Sequence, residues 1–272
     1  MISNSKTALK LKSSSKINLG LWIKEKRDDD YHNIETIFFE NNNLQDEIEI
    51  EYQENNITDI NVIFEQSALN NTIPKEKNLA YQAAKLYLEK VGKKGTCNLK
   101  INKNIPLQAG LGGGSSNAAF VLKGLNQLFG NILKENELLD LALKIGSDVS
   151  FFVIGGICLG SGRGEILKSL NNKVDLSVKI VKIDSVSIST KWAYEQIDSR
   201  EFMTDHRNEI DNLIVALNTG DKDLLFKNIF NDFEMAVFSY FPQLIKERNK
   251  LLDEGYKVSG LCGSGSAIFG IK

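Results

Sequence analysis

The sequence predicts an α+β protein folded in two lobes. Strand-type and helix-type patterns both run through the chain, without the regular β-α alternation of a doubly wound sheet. The 21 glycines, set against 3 prolines, gather in clusters, and one cluster falls near the middle of the 272 residues. No repeat or low-complexity linker interrupts a length that suits one large domain or two modest ones. The boundary is expected at 153/154, giving lobes 1–153 and 154–272.

The elements follow in order. Residues 15–22 (SKINLGLW) read as a strand carrying two polar residues. Residues 47–52 and 61–64 alternate apolar and polar side chains, as half-buried strands do, and the Asn-rich stretch 53–59 supplies the turn between them. Cys97, Leu99 and Ile101 alternate with Asn98, Lys100 and Asn102, a further strand that ends near Pro106. Asn78 is placed to cap a helix over 79–91 whose Leu79, Ala83, Leu86 and Leu88 form an apolar stripe. After a glycine run at 110–114, Ser115 or Ser116 can cap a helix with Ala118, Val121, Leu122, Leu125 and Phe129 on one face. Another helix, 136–145, stops at Gly146. The second half opens on a glycine cluster at 155–164. Strands are expected at 165–170 and 176–183, and helices near 190–198, 207–218, 221–232 and 242–254. A loop from Gly260 runs into an apolar strand that closes the chain.

Composition narrows the function. Hydrophobic residues at 42% and charged residues at 25% describe an ordinary globular protein, and the net charge of −2 gives no general pull toward nucleic acid or an anionic membrane. Three cysteines, odd in number and far apart, argue against a disulfide framework; with only His32 and His206 beside them, they argue against a structural zinc centre too. The first 24 residues hold no acid and several Ser and Lys, a superficial likeness to a transit peptide, but their apolar residues are too scattered for a signal-peptide core. The longest nearly apolar run, Val149 to Leu159, falls well short of the roughly 20 residues a membrane helix needs. A cytoplasmic protein is expected.

The most informative segment is 106–119 (PLQAGLGGGSSNAA), with a strand before it and an amphipathic helix after. Glycines let the backbone approach an anion closely, and the helix N-terminus adds unsatisfied donors and the positive end of its dipole. Ser115 and Ser116 can cap the helix or donate to phosphate oxygens or a Mg²⁺ hydration shell, and Asn117 is a further polar group in the first turn. No lysine lies in 107–122, which excludes a P-loop. Gly110 and Gly112 begin a Rossmann pattern, but position 115 is Ser. His-Arg-Asp and Asp-Phe-Gly are absent, which excludes a protein kinase. The alternative is a tight turn with a capped helix; four glycines followed by Ser-Ser, with a strand before and a helix after, favour phosphate binding through Gly110, Gly112, Gly113, Gly114, Ser115 and Ser116.

This segment resembles the nucleotide loop of the GHMP kinases, in which the triple glycine Gly112-Gly113-Gly114 has its counterpart. The likeness adds Pro106 and Leu111 to the loop's nucleotide contacts. Further segments resemble that family in order, so that the likeness spans residues 15 to 269. Ser15-Lys-Ile-Asn-Leu-Gly-Leu resembles the family's opening strand; read alone, Lys16 and Asn18 are alternating residues facing solvent. Gly146-Ser-Asp-Val-Ser-Phe-Phe152 resembles the segment that carries the catalytic carboxylate, although locally Asp148 reads as an N-cap. A lysine near that aspartate keeps it ionised and stabilises charge on a moving phosphoryl group, while the aspartate accepts the proton of the attacking hydroxyl. Arg27 to Thr36, with Tyr31-His32 at its centre, resembles a stretch characteristic of family members acting on a diphosphocytidyl substrate, in which the Tyr stacks on cytosine and the His hydrogen-bonds the base edge. Asp30 stands where that stretch has Gly, which puts the turn geometry in question.

Val186 to Tyr194 resembles a segment that would make Tyr194 the second aromatic face around cytosine; packing into the core is the alternative, and Trp192 competes for the role. Asn78, and Lys103 with it, would contact the adenosine or its phosphates, with helix capping and surface exposure as the alternatives. Gly160 to Glu165 resembles a structural hairpin. Gly260 to Phe269 resembles the family's third motif, a second glycine loop that would bring Gly263 and Ser264 to the substrate; Cys262 within it carries no sign of a nucleophile. The resemblance implies a two-lobed GHMP kinase fold with the active site in the cleft between the lobes, nucleotide and catalysis in the first lobe and substrate in the second. It implies ATP and Mg²⁺ as cofactors, no separate protein metal site, and Asn18 among the substrate contacts. The reaction implied is phosphorylation of the 2-hydroxyl of 4-diphosphocytidyl-2-C-methyl-D-erythritol in the non-mevalonate synthesis of isoprenoid precursors, by a monomer or homodimer. The rivals are a homoserine- or mevalonate-type member, or a non-catalytic nucleotide-binding protein of the same fold.

Overall fold

Two strands much longer than the alternation pattern predicts organise the chain. The computed structural model describes residues 7–70, 73–198 and 207–272, so His206 lies outside the described residues. In chain order these form β1 (Thr7–Lys26), β2 (His32–Glu54), β3 (Asp59–Phe64), α1 (Leu79–Lys90), β4 (Gly95–Asn102), α2 (Gly113–Leu128), α3 (Glu135–Ile145) and α4 (Ser147–Ile154). Then come β5 (Ile157–Ser161), β6 (Ile166–Ser169), β7 (Val178–Val181), α5 (Thr190–Asp198), α6 (Arg207–Thr219), α7 (Lys222–Asn228), β8 (Phe230–Asn231), α8 (Phe233–Tyr240), α9 (Pro242–Asp253), β9 (Val258–Leu261) and β10 (Ile268–Ile271).

The chain makes two compact units, and they are not contiguous in sequence. The first holds residues up to Ser15 with Leu44–Ile105 and Gly112–Ile154; the second holds Lys16–Asn43, Pro106–Leu111 and Gly155–Lys272. A single cut at 153/154 lies beside the last change of unit, but it assigns 16–43 and 106–111 to the other partner. The reason is the length of β1 and β2: each begins in one unit and ends in the other.

In the first unit the strand order is β3-β4-β2-β1. β4 lies antiparallel to β2, Glu47 opposite Asn102 through Glu54 opposite Gly95, and β3 runs parallel to β4 from Asp59 opposite Thr96. Ile48, Ile50, Leu99 and Ile101, all on the buried alternation, meet Ala83, Ala84 and Tyr87 of α1 and Val121, Leu122 and Leu125 of α2 in a core with essentially no exposed surface. Each such aliphatic side chain contributes about 1.5–3 kcal/mol by leaving water. Asn78 caps α1, its Oδ1 accepting from Ala80 N at 2.9 Å and Tyr81 N at 3.4 Å.

In the second unit β1 and β2 are joined by a turn at 27–31, closed by Arg27 N donating to Tyr31 O at 2.7 Å. Asp30 takes φ +63° there, so the turn keeps the left-handed conformation a glycine would adopt, in a residue type that tolerates it. β5 is antiparallel to β2, β6 to β5, and β8 parallel to β1. The β5–β6 connection through Gly162 and Arg163 is the hairpin expected from the sequence. A separate antiparallel sheet has the order β7-β10-β9. Leu21, Val186, Ile188, Phe233, Val237, Leu244, Leu261 and Ile268 pack into one cluster beside it.

Three elements differ from expectation. The helix expected over 221–232 ends at Asn228, because Phe230 and Asn231 pair as β8 with Gly20 and Leu21. α8 is additional: its sequence, FEMAVFSY, is apolar on most sides and shows no clean stripe. Finally, α2 begins at Gly113, capped by the left-handed backbone of Gly112 (φ +69°) and by no side chain. Gly113 and Gly114 are thus helical residues rather than loop residues, and Ser115 and Ser116 sit inside the first turn rather than before it. No helix among the described residues is long and apolar enough to cross a membrane.

Candidate active site

The predicted site residues fall into both units. In the second unit, alternation along β1 puts Lys16 and Asn18 on the same side of the strand. Both are buried, contrary to the solvent-facing alternative, with Lys16 only 5% and Asn18 1% exposed. Lys16 Nζ donates to Asn18 Oδ1 at 2.8 Å; Asn18 Nδ2 donates to Thr36 Oγ1 at 2.7 Å, which in turn donates to Gly20 O at 2.7 Å. The ammonium also lies 5.6 Å from the centre of the Phe38 ring. Among the described residues of its own unit no carboxylate lies in ion-pairing distance of Lys16. A buried cation supported by one amide oxygen and a ring face is costly unless an anion comes to it.

The second glycine loop lies beside that cation. A side chain added at Gly263 would come within 3.2 Å of Lys16 Nζ and 3.6 Å of Asn18 Oδ1. The loop is held from behind by Asn231, whose Nδ2 donates to Leu261 O at 3.0 Å and Gly263 O at 2.8 Å. Glu234 Oε1 accepts from Leu261 N at 2.8 Å, and burial pushes its carboxyl up. Ser264 Oγ lies 3.0 Å from Thr190 Oγ1. Cys262 is fully buried and its thiol is pushed up by desolvation, so it is no nucleophile.

The first glycine loop begins in this unit with Pro106–Leu111, where Leu111 O accepts from Lys16 N at 3.0 Å and Ala109 O from Ala267 N at 3.2 Å. Gly110 has φ +75°, and a Cβ there would stand 1.8 Å from Cys262 O. Gly110→Ala is therefore expected to cost about 2–4 kcal/mol, combining left-handed strain with overpacking. Urea denaturation measures the loss, and an unchanged midpoint would show that the two backbones do not meet.

The loop continues in the first unit as Gly112–Ser116, where Ser116 N makes the first helical bond, to Gly112 O at 2.8 Å. The preceding amides, those of Gly113, Gly114 and Ser115, have no helical acceptor and are available to an anion. The three glycines of the run are not equivalent. Gly112 supplies the left-handed cap, and Gly113 leaves room for Ile105, which a Cβ would meet at 2.9 Å. Gly114 is exposed, and a Cβ there would meet only Leu79 Cδ1, at an ordinary 3.8 Å. Packing and backbone conformation therefore do not require a glycine at 114. It lies in a helical turn, where the fold accommodates a side chain, and only the approach of a ligand would call for its absence.

Ser116 Oγ is buried and has no hydrogen-bond partner among the described residues, a donor that fits a phosphate oxygen or hydrated Mg²⁺. Asn117 turns inward: its Nδ2 donates to Ser13 Oγ and Asp46 Oδ2, each at 2.8 Å. Lys103 is not at the surface. Its side chain is 4% exposed, ion-paired with the buried Asp46 and hydrogen-bonded to Asn117 Oδ1 at 3.1 Å. Burial holds its ammonium below the usual lysine range, opposed by Asp46. It reaches the loop from beneath, since a Cβ on Gly113 would lie 3.2 Å from Lys103 Nζ.

Asp148 is the second residue of α4, inside the helix and not its N-cap. It is half-buried, and among the described residues of its own unit nothing hydrogen-bonds its carboxylate, which leaves both oxygens open to a proton donor. Among the described residues no cluster of three or more His, Cys, Asp or Glu could hold a metal.

In the second unit Tyr31 is 57% exposed, with the Arg163 guanidinium 4.9 Å from its ring centre. His32 is buried, its Nε2 2.7 Å from Asp198 Oδ1. Tyr194 stacks on His32 (centroids 5.0 Å apart, 12° between planes) and meets Phe233 edge-on at 82°. One face of the ring expected to hold cytosine is therefore already taken by His32. Trp192 meets Tyr240 and Phe241 edge-on and is spent on packing.

Sequence reasoning missed Asp46, Asp198 and Asn231. Each acts on a residue tens of positions away, and none stands in a local pattern that would mark it.

A family model described as the GHMP kinases N terminal domain matches residues 78–156. A 4-diphosphocytidyl-2-C-methyl-D-erythritol kinase of Caldicellulosiruptor saccharolyticus is 38% identical over 96% of this chain and 87% of its own. One of the same name from Thermodesulfovibrio yellowstonii is 36% identical over 97% and 89%. A crystal structure of a 4-(cytidine 5'-diphospho)-2C-methyl-D-erythritol kinase superposes with a TM-score of 0.78 at 31% identity, covering 97% of this chain and 90% of that one. A homoserine kinase from Cytophaga hutchinsonii reaches the same TM-score at 20% identity over 97% and 85%, which is a likeness of fold.

Proposed function

This chain belongs to the GHMP kinase family, and from that premise we propose that it transfers the γ-phosphoryl group of ATP to the 2-hydroxyl of 4-diphosphocytidyl-2-C-methyl-D-erythritol, a step in isoprenoid precursor synthesis. The observation that carries the phosphoryl chemistry is the Lys16 ammonium, buried beside the Gly263 backbone with no ion-pairing carboxylate among the described residues of its unit. The likeness to kinases named for the diphosphocytidyl substrate carries the choice of acceptor.

In this reading the amides of Gly110–Ser116 receive the phosphates of ATP, with Pro106 and Leu111 shaping the approach. Gly114, exposed and bare of a side chain, leaves the nucleotide a path to the amides on either side of it. Asn78 contributes through the start of α1 while also capping it. Lys103 supports the loop from below rather than reaching the nucleotide directly. Asp148 accepts the proton of the attacking hydroxyl as the new O–P bond forms and the bond to ADP breaks. Lys16 offsets the charge that spreads over the phosphoryl oxygens, and Asn18 fixes the direction of its ammonium. Gly263 and Ser264 meet the substrate phosphates, and Tyr31, His32 and Tyr194 hold the cytosine. Mg²⁺ accompanies ATP and supplies charge neutralisation, with the Ser116 hydroxyl as the protein group suited to its hydration shell.

ATP consumption measured with the diphosphocytidyl substrate beside homoserine and mevalonate tests the reading. Turnover is expected with the first alone. Activity with homoserine or mevalonate and none with the first would move the chain to another branch of the family.

A further inference from the structure

α5 ends on a carboxylate that serves two nitrogen donors at once. Asp198 Oδ2 accepts from Lys26 Nζ at 2.8 Å, while Oδ1 lies 2.7 Å from His32 Nε2. The Lys26 hydrogen bond, with that of His32 behind it, holds the Asp198 carboxyl below the usual carboxylate range. A carboxylate that has lost its proton can only accept a hydrogen bond, so the hydrogen between Asp198 and His32 belongs to Nε2. In a neutral imidazole that leaves the lone pair on Nδ1. No described residue hydrogen-bonds Nδ1. The ring cannot easily turn over to exchange the two nitrogens, because Tyr194 lies flat against it and is itself braced by Phe233. His32 thus offers one fixed acceptor beside Tyr31, the residue that precedes it in the chain.

We propose that Asp198 is the positioning residue that sets base specificity: by holding His32 in its Nε2–H tautomer it makes Nδ1 an acceptor for the 4-amino group of cytosine. The inference rests on the reading that His32 meets the base. Cytosine carries an amino donor at position 4, and uracil carries a carbonyl oxygen there. Against the Nδ1 lone pair the amino group makes a hydrogen bond, whereas the carbonyl sets two acceptors face to face at a buried imidazole. A polar group desolvated without a partner is the strongest means a binding site has of rejecting a near-isostere. Lys26 is part of the device. Its charge keeps Asp198 ionised, and it decides what an amide placed at 198 would do.

The decisive variant is Asp198→Asn in the full chain. The amide oxygen turns to the Lys26 ammonium, since a charged donor is the stronger partner, and the amide NH₂ then faces Nε2. The imidazole hydrogen moves to Nδ1 and the reading of the base inverts. ¹⁵N shifts of labelled histidine, with His32→Gln used to assign the signals of the two histidines, report the tautomer in the free protein. The expected results are an Nε2–H form in the parent, an Nδ1–H form in Asp198→Asn and a mixture in Asp198→Ala. Steady-state kinetics should then show KM for the cytidine substrate raised roughly 10- to 100-fold in Asp198→Asn, with kcat within a few-fold. The preference over the uridine analogue should fall by a similar factor. The same tautomer in parent and Asp198→Asn, or an unchanged cytidine-to-uridine ratio once the tautomer has inverted, overturns the proposal. Failure of the parent itself to turn over the cytidine substrate would instead overturn the proposed reaction, and the histidine spectra separate the two cases because they need no substrate.

Discussion

Asp148→Asn is expected to lower kcat by ~10²–10⁴-fold, the range for a general base, while ATP still binds with nearly its original affinity. The substitution keeps the size and polarity of the side chain at the second position of α4, and no hydrogen bond within the first unit depends on the carboxylate. What it removes is the ability to take a proton. Rapid-quench measurement of the phosphoryl-transfer step, beside calorimetric titration with a non-hydrolysable ATP analogue, separates chemistry from binding. Full activity in the variant would remove Asp148 as the base. A matched loss of nucleotide affinity would reassign it to binding.

The second large effect concerns Asp46, which touches no expected ligand. Its Oδ1 accepts from Asn104 N and Ile105 N, both at 2.8 Å, and its Oδ2 meets Asn117 Nδ2 and the Lys103 ammonium. The carboxylate is completely buried. Asp46→Ala leaves a buried cation and two backbone N–H groups without their acceptor, and is expected to destabilise the protein by about 3–5 kcal/mol. Chemical denaturation gives the number. Pairing the change with Lys103→Met should restore much of the loss, because the double variant no longer buries an unpaired charge. Equal destabilisation in single and double variants would mean that the carboxylate matters through Asn104 and Ile105 alone. Since Lys103 lies beneath Gly113, the single variant should also raise KM for ATP more than it changes kcat.

Local physics made parts of this molecule readable. The cap on α1 could be seen in Asn78 because a cap acts over two or three residues, and the 160–165 hairpin could be seen because its glycines sit where left-handed backbone is needed. The glycine run was legible as a loop entering a helix for the same reason, but not the residue at which the helix begins: Gly113 and Gly114 are poor helix formers by propensity and are helical all the same. The true extents of β1 and β2 were hidden by Ser13, Ser14 and Ser15, three consecutive polar residues that are fully buried and break the alternation on which strand reading depends. Lys16 and Asn18 read equally well as solvent-facing until tertiary structure buried them. Asp198 and His32 are 166 residues apart, and Asn231 is 32 from Gly263, so nothing in a window of sequence joins them.

The sheet order β7-β10-β9 has a consequence for how the protein is made. Among the described residues β7 pairs only with β10, and so does β9, which places the latest of these three strands to be synthesised in the middle of the sheet. Until Ile268–Ile271 has left the ribosome, the two flanking strands have no neighbour, and the Gly263 backbone leading into β10 has no anchor on its far side. Lys16, translated some 250 residues earlier, must wait for it. A nascent chain therefore carries Lys16 long before it can assemble the glycine loop beside it.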